Sequence, residues 1–195
     1  DRFDRRHLFA GARAIARDPS LRGALATVLI ASLFCGPLIT FSPLLVKETM
    51  HRGIGDFSVV ITIFGLGGLV GAVALLGIPV ALDRRRLISA SAALHGAIVL
   101  LVALAPWFWA LPTLLGFAGL VMTMSNTLAN THLQSTAPPA LRGQTVSLYM
   151  LAMRGGIALG GLLTGGAIGF LGVRETLVLD GALALILQLA VGRRW

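Results

Sequence analysis

An all-α, polytopic membrane protein with six transmembrane helices is predicted by three features of this 195-residue sequence: its composition, the length of its apolar runs and the placement of its arginines. Hydrophobic residues make up 56% and charged residues 12%, where a soluble domain carries about a quarter charged residues. Mean hydropathy is +0.86. Six apolar runs of about 18 residues or more are each long enough to cross a hydrocarbon core as a helix, the form that satisfies every backbone polar group within its own segment. A transmembrane β-barrel requires alternation over about ten residues, and Ala97 to Ala105 and Ala182 to Leu187 contain no polar residue at all.

The spans expected are Leu21 to Val46, Phe57 to Leu82, Leu87 to Leu104, Trp109 to Gln134, Gln144 to Phe170 and Glu175 to Val191, forming a domain over 21–195. Pro37 and Pro43 should bend the first, because each removes a helical N–H. Trp107 and Trp109 are expected at one membrane interface and Trp195 at the other. Ahead of the spans, residues 1–20 place Phe3, Leu8, Phe9 and Ala12 against Arg2, Arg5, Arg6, Arg13 and Arg17, the pattern of an amphipathic linker helix on the cytoplasmic membrane surface. The chain begins with Asp1, not Met, and is read as a fragment of a longer protein.

Orientation follows from alternate loops. Twelve Lys and Arg fall on the side holding both termini and the Asp83 to Arg86 loop, against three on the other, Lys47, Arg52 and Arg174. The positive-inside rule puts both termini in the cytoplasm. The strong preference for Arg over Lys, with abundant Ala, Gly and Leu, suggests a GC-rich bacterial source and hence the bacterial inner membrane. A net charge of +8 would suggest nucleic acid in a soluble protein, but here the basic residues flank membrane spans, so no nucleic-acid partner is expected. The single cysteine, Cys35, excludes a disulfide framework within the chain and a cysteine-based metal site. No Ser-His-Asp, P-loop or metalloprotease pattern is present, so the chain is expected to have no catalytic residues, no metal site and no cofactor. His7, His51, His95 and His132 lack metal-ligand spacing and are expected at surfaces or interfaces. Asp180, early in the sixth span, is expected to be shallow and hydrated.

Two spans are rich in glycine at a spacing of four, with Gly67 and Gly71 in the second and Gly156, Gly160, Gly161 and Gly165 in the fifth. Small residues at that spacing let another helix approach closely, either as fixed packing or as a surface that repacks during a conformational change. The fourth span carries a polar stripe: at 100° per residue Thr123, Asn126, Thr127, Asn130 and Gln134 share about a third of the helix circumference. Lipid does not satisfy such a face, which must meet other helices or a water-filled cavity. Arg154 is the one basic residue well inside a span, some 13 Å beyond Thr145 and close to the midplane of a core about 30 Å thick. It either snorkels toward the surface or holds an acidic group or an anionic solute.

The stretch from Gln134 through Pro138, Pro139, Arg142 and Gly143 to Ser147 and Tyr149 resembles the loop between helices ten and eleven of major facilitator superfamily transporters. The run Asp18-Pro19-Ser20-Leu21-Arg22 resembles the entry into their helix seven, and Asp83-Arg84 stands where their helix 8–9 loop motif lies, without its glycines. The likeness is nearest to the branch of siderophore exporters and macrolide or multidrug efflux proteins. It implies the C-terminal six-helix half of a twelve-helix transporter, with the N-terminal half, a small-molecule substrate, membrane lipid and protons as partners. In such proteins helices seven and ten line the central cavity and eight and eleven meet the other half. By that resemblance Thr123, Asn126, Thr127 and Asn130 contact solute, while Asp83, Arg84, Pro139, Arg142 and Gly143 belong to the cytoplasmic loops; Arg154 is a further candidate for solute contact by its depth alone. Export of a small amphipathic molecule by alternating access, coupled to protons, is the activity implied. Uptake or facilitated transport by the same fold is the alternative, and a non-transporting membrane scaffold a more distant one.

Overall fold

The computed structural model describes residues 10–49, 51, 53–77 and 83–194. Within them, six helices are long and apolar enough to cross a membrane, with no strand among the described residues. A short helix, Ala10–Arg17, precedes them. Phe3, Leu8, Phe9, His7, Arg52, Leu82 and Trp195, which carried part of the sequence reading, lie outside the described residues.

The first span opens at Pro19, capped by Asp18, whose carboxylate accepts from the Ser20 and Leu21 amides. It runs as α-helix over Pro19–Ile30, π-helix over Ala31–Cys35, α-helix over Gly36–Leu44 and π-helix over Leu45–Thr49. Proline therefore acts through hydrogen-bond register. Pro37 has no N–H for the Leu33 carbonyl, and just before it the Gly36 amide donates five residues back, to Ala31. The other spans are Ile54–Leu76, Arg84–Leu104, Ala110–Thr136, Arg142–Leu171 and Val173–Gly192. Gly172 separates the last two with a φ of 91°, a left-handed conformation that favours glycine.

Glycines set three of the helix contacts. Gly67 lies under the Gly116 carbonyl, Gly71 against that of Leu120, and Gly119 of the fourth span under the Phe64 carbonyl of the second. The third and sixth spans meet at Gly96 against the Leu185 amide and at Gly181 against that of Leu100. The fifth meets the first at Gly156, against Ser32, and at Gly160, beneath the Leu33 carbonyl. Backbones this close gain dispersion contact that larger side chains would prevent, the main attraction between helices in lipid. Gly67, Gly71, Gly156 and Gly160 are thus taken up inside the bundle, whereas Gly161 faces open space and Gly165 meets the Phe41 ring.

Two apolar clusters fill the interior. Leu38, Val99, Leu111, Leu115 and Leu177 belong to one, and Leu21, Val28, Ile88, Ala129 and Leu133 to the other, toward the arginine-rich end. At that end the Gln144 side chain accepts from the Gly11 amide at 2.6 Å, docking the short N-terminal helix on the start of the fifth span. At the opposite end Arg174 donates to the carbonyls of Ala103, Leu104 and Ala105, closing the third span's C-terminus.

Candidate solute-facing surface

The polar stripe of the fourth span divides along its length. Thr123 faces the second span, its hydroxyl 3.1 Å from where a side chain on Gly68 would begin. Asn126 turns toward the bundle and lines a cavity of about 20 Å³ with Ser32, His95, Met122 and Met153, and its backbone carbonyl accepts from the Tyr149 hydroxyl at 3.3 Å. Thr127 and Gln134 are exposed and Asn130 half-buried, with the Gln134 amide donating to Asn130 Oδ1 at 3.0 Å. The bundle thus uses Thr123 and Asn126 itself and leaves Thr127, Asn130 and Gln134 facing outward.

Arg154 lies on the fifth span about 18 Å beyond the helix start at Arg142. Its side chain is exposed, with no ion pair among the described residues. Gly161 and Gly165 lie on its side of the helix, while Tyr149, Ala152, Gly156, Gly160 and Thr164 are buried on the other. Beside it, between the first and fifth spans, an apolar groove of about 450 Å³ is lined by Leu25, Leu29, Leu148, Leu151, Gly155 and Leu159, with Arg22 among its walls. That volume lies in the range of small-molecule sites, which are mostly apolar with a few polar groups.

Three polar residues stand where the sequence reading did not put them. His95 is 3% exposed, with Nδ1 lacking a hydrogen-bond partner, so it is interior, not interfacial. His132 is also buried, and its Nε2 lies 2.7 Å from the Ser20 hydroxyl, tying the fourth span to the first. Asp180 is 8% exposed, and Thr164 of the fifth span donates to its Oδ2 at 2.8 Å. Helical periodicity places these residues on buried faces, but which face is covered depends on neighbours that one span's sequence does not name. Gln188 is a further interior polar residue that the pattern of its span does not single out. It is buried in the sixth span and donates to the Thr27 carbonyl at 2.9 Å.

The loop residues have local structural roles. Asp83 caps the third span by accepting from the Arg85 amide at 3.0 Å and pairs with Arg86 at 3.4 Å, with Arg84 half-buried beside it. Pro139 opens a 3₁₀ turn, Pro139–Leu141, and Arg142 and Gly143 begin the fifth span, all three exposed. Among the described residues no group of three or more His, Cys, Asp or Glu side chains is placed to hold a metal ion. No match to a curated protein or to a solved structure was found. The chain does match the transmembrane secretion effector family over residues 5–195, nearly its whole length. With six apolar helices and an outward polar face already in view, the match makes the chain a multi-pass membrane protein that belongs to this family of major facilitator superfamily transporters.

Proposed function

We propose that the chain is the C-terminal half of a secondary transporter that exports small amphipathic molecules by alternating access, driven by proton exchange across the bacterial inner membrane. The observation that carries this reading is the outward face of Thr127, Asn130, Gln134 and Arg154 on helices that are otherwise apolar. Polar side chains at that depth need water, solute or a polar partner, and the described residues supply none for Arg154. A cavity shared with a second six-helix half supplies all three. The adjoining apolar groove suits the non-polar part of an amphipathic molecule. Siderophores, macrolides and other drugs have this character, which agrees with the sequence likeness to that branch.

The stripe predicts a separation of activity from folding. Thr127→Ala and Asn130→Ala in the full-length protein should lower transport with little loss of membrane-inserted protein. Parallel loss of protein and transport in both variants would make the stripe packing, not a solute surface. Orientation is read from the arginines, with both termini cytoplasmic. With Cys35 replaced, a cysteine at His51 should react with an impermeant thiol reagent added outside intact cells, and one at Arg85 should not. The reverse pattern would invert the topology.

A further inference from the structure

The junction of the first, fifth and sixth spans buries a carboxylate that has no cation among the described residues. Asp180 lies about 10 Å along the sixth span from its start at Val173. Its Oδ2 accepts one hydrogen bond, from Thr164 of the fifth span, and it makes no ion pair among the described residues. Of the elements packed on the sixth span, the first carries Lys47 and Glu48 near its end and the third carries the buried His95. Cys35, buried in the π-helical turn of the first span, is the titratable side chain that faces it from that side. On the third span its neighbour Gly181 meets the Leu100 backbone. Within its own span Arg174 is committed to three carbonyls at the helix start, and Glu175 lies beside Gly172.

An ionised carboxylate sealed here would keep one hydroxyl contact in exchange for a full hydration shell. A carboxylic acid fits the same space without that loss. The first span passes Asp180 in π register, a winding that is rare in helices and frequent at functional sites.

We propose that Asp180 is the proton-carrying group of this chain. While the Thr164–Asp180 junction is closed it holds the proton as a neutral acid. When water reaches the junction, the O–H bond breaks, its electron pair stays on the carboxylate and the proton passes to water on the side then open. This role rests on the proton coupling proposed above, and it places the coupling group within this chain, not only in the other half.

Two measurements on the full-length protein test it. Infrared difference spectroscopy in lipid membranes at neutral pH should show a protonated-carboxyl C=O stretch that vanishes in Asp180→Asn. The band should persist in Asp180→Glu and move in Thr164→Val, which removes the hydroxyl donor. No such band, or one unchanged in Asp180→Asn, overturns the proposal whatever the transporter does. In sealed vesicles with ethidium as probe, the parent should accumulate dye under an imposed pH gradient. Asp180→Asn should lose that accumulation while retaining exchange of labelled for unlabelled dye. Gradient-driven accumulation by Asp180→Asn at the parent's rate overturns the carrying role and leaves the proton-coupled reading standing. A parent that ignores the gradient overturns the proton-coupled reading and the carrying role with it, whereas the infrared band still decides whether Asp180 holds a proton.

Discussion

Gly160→Leu should abolish accumulation of folded protein, while Gly161→Leu, one residue along the same helix, should insert and fold like the parent. The difference comes from what each position meets. A side chain on Gly160 would begin in the Leu33 carbonyl, a backbone group held within the π-helical part of the first span. Overpacking into a flexible side chain typically costs about 1–3 kcal/mol. A backbone obstacle costs more, because relief requires the helices to separate and expose the contact between the fifth and first spans. A Cβ at Gly161 has nothing within 4 Å among the described residues, so a leucine there starts in open space. If the other half of the transporter covers that face, Gly161→Leu should insert normally yet transport poorly, since the added side chain blocks close approach in at least one state of the cycle. Thermal unfolding in detergent separates the pair, and transport by well-folded Gly161→Leu at the parent's rate would remove the close interface from that face.

The fold was legible because membrane helices announce themselves by length and apolarity, and these properties belong to each segment alone. Expected and observed ends of the third span agree at Leu104, and those of the fifth differ by two residues at the start and one at the end. The first span extends further than expected, from Pro19 to Thr49, because π-helical turns absorb its prolines instead of ending it. What the sequence concealed was pairing. Gly67 and Gly71 announce a close contact through their spacing, but nothing in that spacing says that the partner is the fourth span of the same chain. The single glycines Gly96 and Gly181 have no spacing to announce them, yet they bring the third and sixth spans equally near. His95, His132, Asp180 and Gln188 were misplaced or missed for the same reason, since each is interior by virtue of its neighbours. Arg154 was the easier inference: a lone cation deep in an apolar helix is conspicuous, and its side chain is exposed with no ion pair among the described residues.

Arg154→Ala should nearly eliminate transport by the full-length protein without lowering its level in the membrane. An arginine near the bilayer centre costs several kcal/mol on insertion scales unless water, a carboxylate or carbonyls receive it, so removing it should, if anything, ease insertion. The loss falls on what the guanidinium holds, an acidic group of the other half or an anionic part of the solute. Arg154→Lys keeps the charge but gives up the planar fork that binds a carboxylate through two parallel hydrogen bonds, so it should retain partial activity. Arg154→Leu keeps apolar bulk without charge and should resemble the alanine variant. If Arg154 merely extended its side chain to the membrane surface, all three substitutions would leave transport intact.

The measurement that bears most directly on the outward polar face as a working surface is the transport rate of these variants in sealed vesicles, normalised to the amount of correctly inserted protein. The account predicts the order parent, then Arg154→Lys, then Arg154→Ala and Arg154→Leu near background, at equal insertion. Transport by Arg154→Leu at the parent's rate would contradict it.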